Sequence, residues 1–301
     1  MPHKLTGLVA ATHTPFQADG SLNLAIVEKQ AEHLLRNNVF TIFIGGSTGE
    51  CSSLTLEERR ALTTRWGEVV RGTKLNLVVH VGSNCLSDAK VLATHAQQSG
   101  AVAVAALSPS YFKPRDLAAL VAGCAEIAAA APNIPYYFYD IPMLTGVNFS
   151  AAEFLELAST RIPNLAGLKF TNPDLMTYQL CLHSQGGRFD VPYGLDEFLL
   201  AALALGAKGA VGSTYNFAAP LYHRIWQAFE KSDFATARAE QFRAVQMIQL
   251  LAGLGFMGAT KLVMKFCGVD VGPARLPNTN LSPEQGLHLR TSLEKLGVLP
   301  S

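Results

Sequence analysis

Short apolar runs recur along the whole chain, and segments with a helical pattern lie between them. Most of the runs show no alternation with polar residues, which is typical of parallel strands buried on both faces. The eight runs begin at Leu8, Phe40, Leu75, Val102, Tyr136, Leu165, Asp190 and Gly209. The pattern therefore predicts eight buried strands that alternate with helices.

The segments between the runs carry residues that begin and end helices. Residues 55–58 and 150–153 have the spacing of a capping box, in which two side chains bond to each other's free backbone N–H groups. Asn172, which a proline follows, predicts the start of a further helix. Gly100 and Gly206 stand where two of the helices are expected to stop.

Eight strands that alternate with helices fit either a closed (β/α)8 barrel or an open, doubly wound parallel sheet. The open sheet usually carries a glycine-rich dinucleotide-binding turn after its first strand, whereas Thr-His-Thr-Pro-Phe follows here. We therefore expect an α/β fold of the TIM (β/α)8-barrel type over residues 1–220. Residues 221–301 keep a helical pattern, including a start at Ser282 before a proline, and predict a C-terminal helical extension packed on the barrel.

Composition and charge narrow the class of protein. The chain has 24 Lys and Arg against 23 Asp and Glu, a net charge of +1, which provides no broad basic face for nucleic acid. The N-terminus shows no signal-peptide pattern, and no apolar run approaches the roughly 20 residues of a membrane helix. We expect a cytoplasmic protein whose partner is a small molecule or another copy of itself.

Cysteine and histidine give no indication of a metal or a cofactor. The five cysteines are far apart and form no CxxC pair, which argues against a disulfide framework or a structural zinc site. The eight histidines form no HExxH motif, and the GxGxxG and P-loop patterns of nucleotide sites are absent from the sequence. A mechanism without metal or cofactor is therefore expected.

Lys169 is the most informative polar residue, because reactive groups in this fold lie at the C-terminal ends of strands. It stands between the apolar residues Leu168 and Phe170. Burial disfavours the ammonium form, and the neutral amine is a nucleophile toward a ketone. The alternative is a lysine that caps its strand in solvent or pairs with a buried carboxylate, and position alone does not decide between the two.

Other polar residues at the predicted strand ends have more than one interpretation. Tyr139 lies in an aromatic run, where a tyrosine is more often packed than catalytic. The glycine-rich segment that contains Ser47 and Thr48 suits a carboxylate or a phosphate, although such runs are also common turns. Asp196 and Glu197 are candidate ligands of sugar hydroxyls, metal ligands, or acidic residues that begin a helix.

Taken together and in this order, these residues resemble the family of N-acetylneuraminate lyase and dihydrodipicolinate synthase. The segments that carry the resemblance are 45–50, 139–142, 167–171 and 209–216. They run across the predicted barrel, and the helical extension also fits the family, so the resemblance covers the whole chain. The ordered set is far more specific than any of its segments.

Within the family, the sequence is more similar to the lyases than to the synthases. The synthases usually carry an arginine five residues after the tyrosine, and Leu144 stands there in this chain. Residues 194–197 are similar to the lyase segment that holds the polyhydroxyl tail of a sialic acid, and Thr171 also matches the lyases. Asp140 departs from the pattern, which has an amide or an imidazole behind the tyrosine.

The resemblance implies a carbon–carbon lyase that cleaves N-acetylneuraminate to pyruvate and N-acetylmannosamine through a Schiff base on Lys169. It assigns proton transfer to Tyr139 and Ser47, and it implies that Tyr111 reaches this relay from a neighbouring subunit of a homotetramer. The residues implied to bind substrate are Ser47, Thr48, Thr171, Gly194, Asp196, Glu197 and Ser213.

Two other functions remain open. The first is a different reaction on the same iminium, by a pyruvate-dependent aldolase or dehydratase that acts on 2-keto-3-deoxy sugar acids. The second is a barrel that binds a ligand without catalysis. The paired Lys169 and Tyr139 favour an enzyme, whereas the choice of substrate depends on the pocket for the sugar tail.

Overall fold

The computed structural model describes residues 4–299 and contains one curled, fully parallel sheet. Within this range the regular strands are β1 Gly7–Ala11, β2 Thr41–Ile44, β3 Asn76–His80, β4 Ala103–Leu107, β5 Tyr136–Asp140, β6 Leu165–Phe170 and β7 Gly209–Gly212. They pair in the order β6-β5-β4-β3-β2-β1-β7. The carboxyl ends of all seven strands therefore meet at one end of the sheet.

The strand predicted at Asp190 is present only as an irregular segment, 190–193, which lies between β6 and β7 and closes the barrel. Its isolated bridges are Gly167–Asp190, Phe170–Tyr193 and Tyr193–Ala210. Pro192 has no N–H to donate, so the segment cannot form a continuous ladder. Gly167 permits the close approach, because a Cβ there would clash with the carbonyl oxygen of Asp190. The (β/α)8 fold is confirmed, and the expectation of eight regular strands is corrected at this segment.

Helices surround the sheet and continue beyond its last strand. Among residues 4–299 they are α1 Ile26–Arg36, α2 Leu56–Val70, α3 Leu86–Gln98, α4 Leu117–Ala129, α5 Pro142–Thr145, α6 Ala151–Ala158, α7 Leu175–His183, α8 Leu199–Ala204, α9 Tyr215–Glu230, α10 Phe234–Gly253, α11 Phe256–Phe266 and α12 Pro283–Lys295. Short 3-10 turns occupy Cys51–Ser53, Ser184–Gly186 and Asp196–Phe198.

The predicted helix starts are confirmed at α2 and α6 and corrected at α7. Thr55 forms a complete capping box at α2, and the Ser150 hydroxyl accepts a hydrogen bond from the first turn of α6. At α7 the capping side chain is Asp174, two residues later than predicted. The Asn172 side chain instead accepts from the Asp174 N–H at 3.1 Å and donates to Asp140 Oδ2 at 3.3 Å. A tight turn therefore precedes α7 and ties it to β5.

Side chains on the strands alternate between two cores. The outward-facing residues pack beneath the helices and form the larger core, which includes Trp66 and Phe154. The inward-facing residues fill the barrel, and they are Leu5, Val9, Ala11, Phe43, Val78, Ala103, Ala105, Tyr137, Tyr139, Ile141, Ala166 and Val211. Because β4 contributes two alanines to this interior, the larger rings of β2 and β5 have space inside it.

The C-terminal helices follow the barrel without a break at position 220. Pro220 lies inside α9, and the irregular backbone of this helix is at Ala218. Helix α9 packs on β1, as the eighth helix of a barrel does, and α10, α11 and α12 pack beyond it. We propose that the helical extension begins at Phe234 rather than at residue 221.

The described residues contain neither a single membrane-spanning helix nor a cluster of metal-binding side chains. No single helix among residues 4–299 is long and apolar enough to cross a membrane, and only the bent pair α10 and α11 passes on length and composition. Over the same range, no group of three or more His, Cys, Asp and Glu side chains is arranged to hold a metal ion.

Candidate active site

Lys169 and Tyr139 lie side by side inside the barrel, near the carboxyl ends of β6 and β5. They are direct partners in the parallel ladder between these strands. Lys169 Nζ is 3.9 Å from the centre of the Tyr139 ring and 4.6 Å from the centre of the Phe43 ring. Both residues are buried, with exposed fractions of 5% for Lys169 and 2% for Tyr139. The register of β5 and β6 thus brings Tyr139 and Lys169 into contact, although they are thirty residues apart in the sequence.

Within the described part of the chain, Lys169 neither caps its strand in solvent nor pairs with a buried carboxylate. Its side chain is not in solvent, and among residues 4–299 it forms no hydrogen bond and no ion pair with a carboxylate. Its amine instead faces two aromatic rings, which attract a cation but do not accept a proton. A buried lysine without a carboxylate partner is the arrangement expected for an amine that reacts with a carbonyl compound.

His80, from β3, lies beside the Tyr139 ring in the barrel interior. The two rings meet edge-on with centroids 5.8 Å apart. His80 Nδ1 donates to the Gly45 carbonyl at 2.7 Å, and Nε2 accepts from the Leu107 N–H at 3.3 Å. Burial, then the nearby charge of Arg59, holds the His80 pKa well below its usual range, so the ring is neutral. No motif in the sequence indicates a role for this histidine, although its position at a strand end was the available signal.

The loop 45–50 follows β2 and forms the wall opposite Lys169. Ser47 Oγ lies 3.4 Å from Tyr139 Oη, and Thr48 Oγ1 lies 2.6 Å from Ser213 Oγ. Within residues 4–299, the backbone N–H groups of Ser47 and Thr48 donate to no protein acceptor. The loop therefore offers two N–H groups and two hydroxyls to an anion, as the sequence predicted for a carboxylate site.

Asp196 lies behind the site, beneath the turn that leads from β7 into α9. Its Oδ2 accepts from the Thr214 N–H at 2.9 Å and from Thr214 Oγ1 at 2.6 Å. Burial raises the Asp196 pKa to about 6, and the bonds from Thr214 oppose this rise. Gly212 leaves space for the carboxylate, because a Cβ there would clash with Oδ1. Asp196 is thus largely occupied within the chain, whereas its neighbour Glu197 is only half-buried.

Thr171 and Gly194 meet where β6 and the segment 190–193 end. The Gly194 N–H donates to the Phe170 carbonyl at 2.7 Å, and a Cβ at Gly194 would clash with Thr171 Oγ1. Thr171 Oγ1 is buried and has no hydrogen-bond partner among the described residues. A buried hydroxyl without a partner costs free energy, so this atom is suited to a hydrogen bond with a bound ligand.

Among the described residues, Tyr111 is a predicted site residue that lies apart from Lys169 and Tyr139. Its side chain is 78% exposed and packs edge-on against Phe112, which is 85% exposed. Its backbone N–H donates to Asn84 Oδ1 at 3.1 Å. Among the described residues, no hydrogen bond or ring contact joins Tyr111 to Tyr139.

Asp140 lies on the outer face of β5, directly after Tyr139. It is 5% exposed, and its side chain accepts a hydrogen bond from Asn172. Burial raises the Asp140 pKa to about 6, and the bond from Asn172 opposes this rise. Asp140 therefore lies on the opposite face of the sheet from Lys169 and Tyr139.

Comparison with known proteins places the chain in one family. The sequence pattern of the Dihydrodipicolinate synthetase family matches residues 4–296. The chain is 38% identical over 300 residues to N-acetylneuraminate lyase A of Xenopus laevis, which covers 98% of each chain. The chain belongs to the dihydrodipicolinate synthetase family.

Solved structures of bacterial lyases are also similar to this chain. The N-acetylneuraminate lyase of Proteus mirabilis has a TM-score of 0.96 and 38% identity, covering 99% of this chain and 100% of that chain. The N-acetylneuraminate lyase (sialic acid aldolase) of Aliivibrio salmonicida has a TM-score of 0.95 and 42% identity, covering 99% and 98%. The similarity thus extends over the barrel and the helical extension.

Proposed function

We propose that this chain is a carbon–carbon lyase that cleaves N-acetylneuraminate to pyruvate and N-acetylmannosamine through a Schiff base on Lys169. The observation that carries the proposal is the buried, unpaired Lys169 amine in register with Tyr139. The names of the similar proteins, which are N-acetylneuraminate lyases from vertebrates and bacteria, support the choice of substrate.

The substrate carboxylate binds first to the 45–50 loop. The free N–H groups of Ser47 and Thr48, together with their hydroxyls, hold the two oxygens. This contact orients the adjacent 2-keto carbon toward Lys169. Since no metal or cofactor is required, the chain supplies the whole mechanism from its own side chains.

The Lys169 amine then attacks the 2-keto carbon, and loss of water gives an iminium. The iminium draws the electron pair of the C3–C4 bond as the C4 hydroxyl loses its proton. Tyr139, in contact with Ser47 at 3.4 Å, receives or relays that proton. The aldehyde N-acetylmannosamine leaves, the remaining enamine is protonated at C3, and hydrolysis releases pyruvate and the free lysine.

The sugar tail lies along the segment that follows 190–193. Glu197 and the backbone of Gly194 bind its hydroxyls, and Thr171 and Ser213 complete the pocket. Asp196 acts by holding Thr214 and the turn into α9. Leu144, in the short helix α5 that follows β5, supplies no charge for a second carboxylate, in agreement with a polyhydroxyl substrate.

The active form is a cytoplasmic homotetramer in which Tyr111 of one subunit joins the relay of its neighbour. An exposed apolar surface formed by Tyr111, Phe112, Met143 and Leu144 supports this proposal, since large exposed apolar surfaces usually mark interfaces. Light scattering after gel filtration measures the assembly. A monomeric protein with full activity would contradict the role of Tyr111.

The decisive experiment is intact-mass spectrometry after incubation with pyruvate and sodium borohydride, with Lys169→Ala in parallel. Borohydride reduces the iminium and makes the adduct permanent. A pyruvate-sized adduct on the native protein that is absent from the variant supports the Schiff base, and release of N-acetylmannosamine then identifies the substrate. Absence of the adduct with ligand binding intact would favour a non-catalytic barrel, and cleavage of only 2-keto-3-deoxy sugar acids would favour a different aldolase.

A further inference from the structure

A second buried lysine lies outside the catalytic constellation and holds the end of the 45–50 loop. Glu50, the last residue of this loop, forms an ion pair with Lys261 of α11 at a distance of 2.7 Å. Their side chains are 0% and 1% exposed. The pair therefore joins the loop that follows β2 to the C-terminal helical extension.

Lys261 uses its ammonium group to connect three separate parts of the chain. Besides Glu50, it donates to the Thr14 carbonyl at 2.9 Å and to the Pro273 carbonyl at 2.8 Å. Its charge also lies 4.1 Å from the centre of the Phe16 ring. One ion pair and two hydrogen bonds therefore hold the Lys261 ammonium.

The 45–50 loop is held by the same network from two further directions. Thr14 Oγ1 donates to the Gly49 carbonyl at 2.7 Å. Glu50 Oε2 accepts from the Arg275 N–H at 2.9 Å, so the segment after α11 also holds this carboxylate. Glu50 has a left-handed backbone with φ of 54°, a conformation that persists in a non-glycine residue only where its surroundings impose it.

A shift of Glu50 would also move the hydroxyls of Ser47 and Thr48, because residues within the 45–50 loop contact each other. A Cβ on Gly49 would lie 3.0 Å from Gly45 Cα, and the Glu50 N–H donates to the Ser47 carbonyl at 3.0 Å. Ser47 and Thr48 lie between these contacts. Their positions therefore depend on where Glu50 is held.

We propose that Lys261 and Glu50 are positioning residues for the substrate carboxylate, through which the C-terminal extension sets the geometry of Ser47 and Thr48. The proposal rests on the proposed function, in which these two residues bind the carboxylate. Burial lowers the Lys261 pKa to about 8 and the Glu50 carboxylate opposes this, so the ammonium is present at pH 7.

The test compares Lys261→Met with native protein and with Lys265→Met, which removes an exposed lysine of the same helix. Two quantities are measured: hydrogen exchange of the 45–50 segment, and the pyruvate concentration that half-saturates borohydride trapping. We expect exchange and half-saturation to rise about tenfold in Lys261→Met, equivalent to about 1.4 kcal/mol. The maximal trapping rate should change by less than about threefold, because Lys169 and Tyr139 are untouched.

A second variant, Glu50→Gln/Lys261→Met, removes both charges and so leaves no unpaired charge in the core. It is expected to show the same rise in half-saturation. Native half-saturation in either folded variant would overturn the proposal, and so would failure of both variants to fold, which would assign the pair to stability alone. Absence of trapping in native protein would refute the proposed function instead, and the exchange of the 45–50 segment would still decide the positioning role.

Discussion

Lys169 and Lys261 are both buried lysines of the same chain, and their surroundings are opposite. Lys261 forms an ion pair with a carboxylate and donates to two carbonyls, whereas Lys169 faces the rings of Phe43 and Tyr139 and has no such partner among residues 4–299. Burying an amino group costs free energy unless acceptors replace the water that it loses. At Lys261 the acceptors offset that cost, so the charge is retained and binds segments together.

The difference shows how one residue type serves two purposes. A lysine with a full set of acceptors holds structure, and a lysine without them keeps its nitrogen available for a carbonyl carbon. Functional sites commonly retain such unfavourable burial because reactivity requires it. Substitution of each lysine by methionine, which has a similar volume and no charge, should therefore have opposite effects on stability.

The largest expected effect is on chemistry in Lys169→Met. Without the amine no Schiff base forms, so trapping with pyruvate and borohydride should fall by roughly 10⁴-fold or more. The same variant should be at least as stable as native protein and gain about 1 kcal/mol in urea unfolding, since a buried amino group without a hydrogen-bond acceptor is removed. A loss of several kcal/mol would show that Lys169 has a structural partner and would break the comparison.

Lys261→Met should instead lose about 3–5 kcal/mol in the free energy of unfolding, because it leaves the Glu50 carboxylate buried without its partner. Urea unfolding monitored by circular dichroism measures the loss. Lys265→Met is the matched control and should stay within about 1 kcal/mol of native protein, since its ion pair with Asp270 is exposed. Equal stability of the two variants would contradict the interpretation of Lys261.

Tyr139→Phe separates proton transfer from packing at Lys169. The ring beneath Nζ is kept, so pyruvate trapping should persist, whereas cleavage should slow by roughly 10²–10³-fold because the hydroxyl is lost. The measurement is kcat for release of N-acetylmannosamine. Tyr137→Phe, two residues earlier on the same strand, removes a hydroxyl that bonds to Asp190 and should leave cleavage nearly unchanged. A similar loss in both variants would assign the effect to packing.

The smallest effect is expected for Asp140→Asn, which replaces a buried acid by its amide. The native Asp140 pKa is raised to about 6, above its value in the unfolded chain, so its contribution to stability is complete below about pH 4 and is lost as pH rises through 6. The variant lacks this loss. Its free energy of unfolding minus that of native protein should therefore be about 1–3 kcal/mol larger at pH 8 than at pH 4. Thermal unfolding across this range checks it, with the exposed Glu57→Gln as control. A constant difference at all pH values would count against a titrating Asp140.

The hydrophobic pattern predicted the alternation of strands and helices, and the absence of a glycine-rich turn after the first strand favoured the barrel over an open sheet. It failed at 190–193, since an apolar run does not reveal that Pro192 interrupts the ladder. It also started α7 two residues early, because Asn172 and Asp174 both have capping side chains and only the folded turn distinguishes them.

The candidate site was predictable where chemistry coincides with a strand end, as at Lys169, Tyr139 and the 45–50 loop. The contacts that cross the fold were not predictable. Lys261 lies 211 positions after Glu50 in the chain, and no local pattern signals that a lysine on a late helix will pair with that loop. His80 was missed for a similar reason, since its contacts come from the 45–50 loop and from two other strands, β4 and β5.

The irregular closure at 190–193 has a consequence for how new specificities arise in this barrel. A few isolated bridges join this segment to its neighbours, and the loop that we propose to bind the sugar tail follows it at Gly194. Changes in the following loop therefore disturb little of the ladder that holds the other seven strands. A library confined to this loop should yield altered substrate range with fewer unfolded members than one of equal size in the 45–50 loop.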